Sequence, residues 1–391
     1  MKIILFDDKS WGTLRPLTFT RPISELRVGI LTIREKWEKR FGDKVAYLTK
    51  DYLQEKFPLS VEDDNLLVNG SICPNDELMQ AIKSLQVGEM LLQGDCLIAV
   101  RMDRQDVATF DPMAIPDFIR KEYTGVFTRV VYPYHLFSLN AQELEVDFRL
   151  ITEGRESAPL NSCVQVYGKY PVFVEEGAVV RCAVINTEGG PVYIGKDAEI
   201  MEGVLVRGPL AMCEHSVLTM GAKVYGATTL GPYCKCGGEV NNVVMIAYSN
   251  KAHDGFLGNS VLGEWCNIGA GTNNSNLKNT YVEVKLWDYD TKHFRRTGLQ
   301  FCGLIMGDHA KLGISTMINT GTVIGVGTNI FGSDFPRNFV PSFSWGGASG
   351  FTEHKMNQFV STAEAVMKLR NKTFDDVDRR IIEHVFADPE R

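Results

Sequence analysis

Aliphatic residues recur at every sixth position over two long stretches of this 391-residue chain. One run reads Ile194, Ile200, Val206, Met212, Leu218, Val224, Leu230, and the other Met306, Leu312, Ile318, Ile324, Ile330. Leu262 and Ile268 add one step between them. The position four after each aliphatic is usually small, as at Ala198, Ser216, Ala222, Thr228, Cys266, Thr272, Ala310, Thr316, Thr322 and Thr328; Val204 and Leu210 are larger. A large residue and then a small one at a fixed six-residue phase is the pattern of a parallel β-helix, in which each cycle makes a short strand and a corner. Three sides close one coil of about eighteen residues. A single coil cannot cover its own apolar layer, so coils must stack. The alternating strands of a sandwich have period two, which six also satisfies, but they give no reason for a phase kept without insertions.

Residues 1–155 lack this cycle. Strands are predicted at Lys2–Phe6, Val45–Leu48, Leu66–Val68, Leu91–Leu92 and Leu97–Met102, and helices at Ile30–Phe41 and Glu77–Leu85. Strands alternating with helices indicate an α/β layer domain with a mainly parallel sheet. Arg155–Asn161 reads as a linker, and residues 163–345 carry the β-helix. The cycle breaks at Asn273 and resumes near Met306. The polar and aromatic stretch 273–302 is predicted to leave the coil as a lid or a subunit clasp, through Tyr281, Trp287, Tyr289 and Phe294. Residues 346–391 read as a helical tail, with a capping box at Thr373–Asp376 opening a last helix, Asp375–Phe386.

A net charge of −7 argues against nucleic acid or an anionic membrane surface as the main partner. No stretch approaches the roughly 20 apolar residues that span a bilayer. The N-terminal MKIILFDDKSWG reads as a buried first strand rather than a signal peptide. The nine cysteines show no paired C-x-x-C spacing, and several fall on small positions of the cycle, so they read as reduced core residues. Together these features suggest a cytoplasmic protein.

Residues 12–27 read GTLRPLTFTRPISELR. A loop with Gly12 and Thr13, followed by Arg15, Arg21 and Arg27, has the donors to grip phosphates through backbone N–H and guanidinium groups. The stretch resembles the signature of sugar-phosphate nucleotidyltransferases, onto which Gly12, Thr13, Pro16, Leu17, Thr18 and Pro22 can be laid. It departs at Ile23, where that family has lysine, and at Ser71, where the family has the aspartate that holds Mg²⁺. Asp7, Asp8, Asp76 and Asp95 are candidates for a relocated metal ligand. The departures leave two readings: a variant working nucleotidyltransferase, or a relic that binds or scaffolds.

The stretch from Ser249 to Asn279, SNKAHDGFLGNSVLGEWCNIGAGTNNSNLKN, is similar to the acetyltransferase half of the bifunctional N-acetylglucosamine-1-phosphate uridyltransferase / glucosamine-1-phosphate acetyltransferase family. That resemblance implies a nucleotidyltransferase-like α/β domain, a left-handed parallel β-helix and a C-terminal helical tail. It implies His253 as general base for an amine attacking acetyl-CoA, Asn267 and Lys251 as sugar contacts, and Ala270 lining the acetyl-CoA groove. Backbone N–H groups near Asn276 are implied as oxyanion donors. The acceptor implied is an amino-sugar phosphate, with an NTP as second substrate, Mg²⁺ for the N-terminal domain, and a homotrimer as the assembly. The sequence departs from the family at Phe256 and Leu277. It also departs at Asn241 and Asn242, where lysines would meet the sugar phosphate; Lys278, Lys285, Arg295 and Arg296 are candidate replacements. Other readings are a nucleotidyltransferase whose β-helix serves assembly, and a scaffold or nucleotide-sugar sensor.

Overall fold

The computed structural model describes residues 1–391. The chain forms two compact units. One holds residues 1–14, 20–26 and 31–132; the other holds 15–19, 27–30 and 133–391.

The first unit is built on a six-stranded sheet with the order Ala46–Leu48, Lys2–Phe6, Asp64–Asn69, Cys96–Asp103, Glu89–Gln93, Ile119–Glu122. Lys2–Phe6 pairs in parallel with both neighbours. Cys96–Asp103 is antiparallel to Asp64–Asn69 and to Glu89–Gln93. Glu89–Gln93 pairs in parallel with Ile119–Glu122, so three of the five pairings are parallel, as expected, and the antiparallel Cys96–Asp103, joined to Glu89–Gln93 by a hairpin, makes the sheet mixed. The helix predicted from Ile30 runs over Ile33–Phe41, since Thr32 stops it with a capping box to Glu35.

The second unit is a parallel β-helix. The fourteen aliphatics of the six-residue cycle all lie inside one core cluster. Coils stack in register, with Val172, Val192, Leu210 and Thr228 following one another on one face. The small residue of the cycle has a specific cause. It follows a corner residue in the left-handed region: Asp197, His215, Trp265, His309 and Ser315 precede Ala198, Ser216, Cys266, Ala310 and Thr316, with φ between 54° and 60°. The chain turns there, and the next side chain points into the tight inside of the corner. Where that residue is Ser or Thr, its hydroxyl is satisfied locally. Ser216 Oγ donates to Cys213 O at 2.7 Å and Thr316 Oγ1 to Gly313 O at 2.8 Å.

One corner carries a ring ladder across successive coils. His215, Tyr233, Tyr248, Trp265 and His309 stack with centroids 4.6, 5.3, 4.3 and 6.2 Å apart and planes within 27° of parallel. The helical tail closes its upper end, where Phe359 and Phe374 meet His309 edge-on. The last helix is Asp376–Ala387, and its capping box is made by Asp375 and Asp378 rather than by Thr373, because Asp375 is the last extended residue before the helix.

The helix Asn140–Thr152 belongs to this unit. Asn140 Nδ2 donates to Ala227 O at 2.9 Å, and Asp147 Oδ2 accepts from Ile30 N at 2.8 Å. The segment 27–30 is thereby fixed between the helix and a coil. Gly29, at φ 81°, passes so close to the helix that a Cβ would lie 2.5 Å from Asp147 Oδ2.

Trp265 is buried in the middle of the ring ladder. Trp265→Ala is expected to lower stability by about 3–5 kcal/mol, read by urea unfolding of the full chain.

Candidate functional site

His253 stands exposed at a corner of the β-helix, between Asn250–Lys251 on one face and Phe256–Glu264 on the next. Its main chain is held from inside the coil. Lys251 follows Cys236 in an inward column, is 1% exposed, and donates through Nζ to the His253 carbonyl. Burial lowers the Lys251 pKa. The expectation that Lys251 touches a sugar is corrected by this placement: an ammonium inside the coil cannot reach a ligand outside it, and its work is to hold the corner.

Ala270 lies at the same corner one coil on, where Gly271 N donates to Asp254 O at 2.9 Å and Ala270 O accepts from Ser315 N at 2.7 Å. Asn267 is exposed on the face before that corner, beside Asn250 and Lys311. Asn276 lies past the corner, on the other side of it, with Nδ2 donating to Asn259 Oδ1 at 2.7 Å. One chain thus brings His253 and Ala270 together and leaves Asn267 and Asn276 on different faces.

Of the candidate phosphate ligands in the 273–302 excursion, Lys278, Arg295 and Arg296 are engaged within it, and Lys285 is exposed. That segment folds as a hairpin, Lys285–Asp288 against His293–Arg296. Arg295 pairs with Asp288 at 2.5 Å, Arg296 with Glu283 at 3.3 Å, and Lys278 Nζ donates to Glu283 O at 3.4 Å. The hairpin clasps its own chain: Trp287 stacks on Phe339 at 4.4 Å, and Tyr289 is buried against Phe19 and Phe339. Two cations missed in the sequence stand elsewhere. Arg207 and Lys223 are exposed on the β-helix face that leads to Phe256, in a groove of about 430 Å³ shared with Tyr167, Tyr225 and Glu239. Lys223 lies opposite Glu239, and Glu239 opposite Phe256, three residues after His253. They lie 46 and 30 residues before His253, and such spacings carry no signal until the coils are stacked.

The first unit holds a different cluster, at the carboxyl ends of Lys2–Phe6 and Asp64–Asn69, where open α/β sheets bind ligands. Asp8 accepts from Ser10 N at 2.8 Å, Asn69 Nδ2 at 2.9 Å and Arg129 Nη2 at 2.5 Å. Ser71 Oγ donates to Asn69 Oδ1 at 2.7 Å and accepts from Arg129 Nε at 3.2 Å. Asp7 accepts from Ile23 N and Thr49 Oγ1, and burial pushes its pKa up to about 7. This donor set does not fit Mg²⁺. Ser71 is neutral, Asp8 is paired with Arg129, and Asp7 is buried against Ile23 N and Thr49 Oγ1.

The predicted phosphate loop is also corrected. Gly12 and Thr13 end a one-turn helix, Ser10–Thr13, and the Thr13 hydroxyl donates to Val131 O at 2.5 Å. Arg21 is 4% exposed. Arg15 pairs with Asp290 at 2.7 Å and Glu390 at 3.5 Å and lies over the Tyr289 ring. Arg27 donates to Ile246 O at 3.2 Å and to Ile30 O. Arg15 and Arg27 face protein acceptors, and Arg21 is buried, so these arginines are not open to a ligand.

Residues 3–156 match the family described as sugar nucleotidyl transferase. The chain is 30% identical over 145 residues to a bifunctional sugar-1-phosphate nucleotidylyltransferase/acetyltransferase of Sulfurisphaera tokodaii, covering 36% of this chain and 35% of that protein. It is 30% identical over 155 residues to the bifunctional protein GlmU of Methanocaldococcus jannaschii, covering 39% and 35%. The matches thus span about a third of the length of these relatives. Among solved structures, the polySia-specific acetyltransferase NeuO aligns at 12% identity over 49% of this chain and 87% of its own, with a TM-score of 0.26. No helix is long and apolar enough to cross a membrane.

Asp7 gives a pH test. Its folded pKa lies above its unfolded value, so its contribution to stability is full below about pH 4 and is lost as pH rises through about 7. Asp7→Asn is expected to flatten that fall, measured as urea unfolding of both proteins at several pH values across the window.

Proposed function

We propose that the chain is an acetyltransferase that moves acetyl from acetyl-CoA to an amino-sugar phosphate, with the β-helix as its catalytic part. The observation that carries this reading is the setting of His253, an exposed imidazole on a corner fixed from within by a buried ammonium. A general base needs a ring open to the acceptor and a backbone that does not yield. His253 takes a proton from the sugar amine as its nitrogen attacks the thioester carbonyl. The C–S bond then breaks and CoA leaves as the thiol. Backbone N–H groups near Asn276 stabilise the oxyanion, Asn267 contacts the sugar, and Ala270 lines the acetyl-CoA groove.

Asn267 and Asn276 lie on different faces, so one copy does not supply the whole constellation. A homotrimer, with the site between neighbouring β-helices, supports their convergence. Arg207 and Lys223 take the acceptor phosphate in place of the lysines missing at Asn241 and Asn242. A second reading, nucleotidyl transfer with an NTP, is favoured by the family match of residues 3–156. The cluster around Asp8 and Arg129 does not fit Mg²⁺, so the reading preferred for that domain is binding of a nucleotide sugar.

The test is release of CoA thiol from acetyl-CoA with glucosamine 1-phosphate and a panel of other amino sugars, on protein sized by multi-angle light scattering. His253→Ala is expected to remove turnover while keeping the fold and acetyl-CoA binding; equal turnover by the variant would overturn the role of His253. Arg207→Ala and Lys223→Ala are each expected to raise KM for the phosphorylated acceptor about 10-fold or more with kcat little changed, as loss of a charge-assisted hydrogen bond implies.

A further inference from the structure

Two cysteines differ from the rest. Cys163 and Cys182 are exposed, Cys96 is half-buried, and the others are buried in the two units. The exposed two sit on adjacent coils at the open end of the β-helix. Gln165 pairs with Val184 and Val166 with Ile185, and the same offset of 19 residues carries Cys163 onto Cys182. Cys182 N donates to Cys163 Sγ at 3.1 Å. Neighbouring strands lie about 4.8 Å apart, inside the range of about 4.4–6.8 Å between Cα atoms that a disulfide spans.

The backbone singles out Cys182 a second time. It lies in the left-handed region at φ 43°, at a corner where the following coils place Gly203, Gly221 and Gly238 at φ 73°, 70° and 70°. Gly203 N donates to Cys182 O at 3.1 Å, which joins the column. Glycine takes this conformation without strain and cysteine does not. A side chain kept at this corner is therefore held against its own backbone preference, and it is held beside a thiol. The two sulfurs are also unequal. Hydrogen bonds from Cys182 to Cys163 lower the pKa of Cys163, and the same contact raises that of Cys182. One sulfur is thus the readier nucleophile and the other the second to react.

We propose that Cys163 and Cys182 form a reversible dithiol–disulfide site that staples the first coil of the β-helix to the second by exchange with small-molecule disulfides. The Cys163 thiolate attacks one sulfur of oxidised glutathione, forms a mixed disulfide and releases one glutathione thiolate. Cys182 loses its proton and attacks Cys163 Sγ, forming the Cys163–Cys182 bond and releasing the second glutathione. Two protein thiols are oxidised, one external disulfide is reduced, and the two protons end on the two glutathiones. The staple closes the end of the solenoid that no preceding coil covers, where Val166 and Tyr167 are 44% and 52% exposed.

The experiment equilibrates the full chain in glutathione buffers of graded redox potential, quenches with N-ethylmaleimide, and reads intact mass and tryptic peptides. Trypsin yields Cys163 in residues 156–169 and Cys182 in residues 182–196, each the only cysteine of its peptide. The expected result is a cross-link between these two peptides, lost on reduction, with the buried cysteines unmodified until the protein is unfolded. Cys182→Ser is expected to stop at a glutathione adduct on Cys163, and Cys163→Ser to lose the cross-link. Circular dichroism checks that both variants keep the fold. Free thiols at both positions in fully oxidised glutathione, or a stable glutathione adduct on the folded wild-type protein without the cross-link, would overturn the proposal.

Discussion

Every coil of the β-helix leaves one layer of aliphatic side chains and one row of strand N–H and C=O groups uncovered until the next coil closes on it. Ile200, Leu218 and Cys236 are buried because each has a coil on both sides, and the parallel register passes the backbone hydrogen bonds from coil to coil. This demand fixes the corners. The chain must turn by the same amount each time, so a left-handed residue and then a small one recur at one phase. The side chains of left-handed corners line up as a by-product, and five of them form the ring ladder from His215 to His309.

The same constraint explains how the β-helix can offer a rigid site. His253 is a corner residue, and its neighbour two places back occupies a position that the fold reserves for an apolar side chain. Lys251 in that position meets the His253 carbonyl inside the coil. Removing one partner of such a buried polar contact leaves the other desolvated and unpaired, so the corner and the column depend on each other. Burial of charge in the column is the counterpart of exposure of the imidazole outside it.

The N-terminal unit shows how a familiar motif can change its task. Arg15 and Arg27 lie in short segments that pack within the β-helix unit, and their guanidinium groups are met by Asp290, Glu390 and main-chain carbonyls. Arg129 bridges Asp8 and Ser71 at the carboxyl ends of the sheet strands. The guanidinium there balances the charge of the Asp8 carboxylate within the protein.

The sequence by itself determined the β-helix, because the six-residue cycle is a local rule that each coil repeats, and it marked His253 because a motif kept its spacing within that rule. The first strand and the bodies of the helices Ile33–Phe41 and Asp376–Ala387 were legible because apolar periodicity acts over a few residues, whereas the caps at Thr32 and Asp375 that set where the helices begin were not. The tertiary structure alone decided which charges are open. Lys251 differs from an exposed lysine only by lying in an inward column, and Arg15 differs from a phosphate ligand only by meeting Asp290, 275 residues away. Arg207 and Lys223 share a groove, and Cys163 and Cys182 touch, because stacking converts distances of 16 to 19 residues along the chain into one strand spacing. Side-chain partnership across coils depends on register, and register is set by the whole stack rather than by any residue in it.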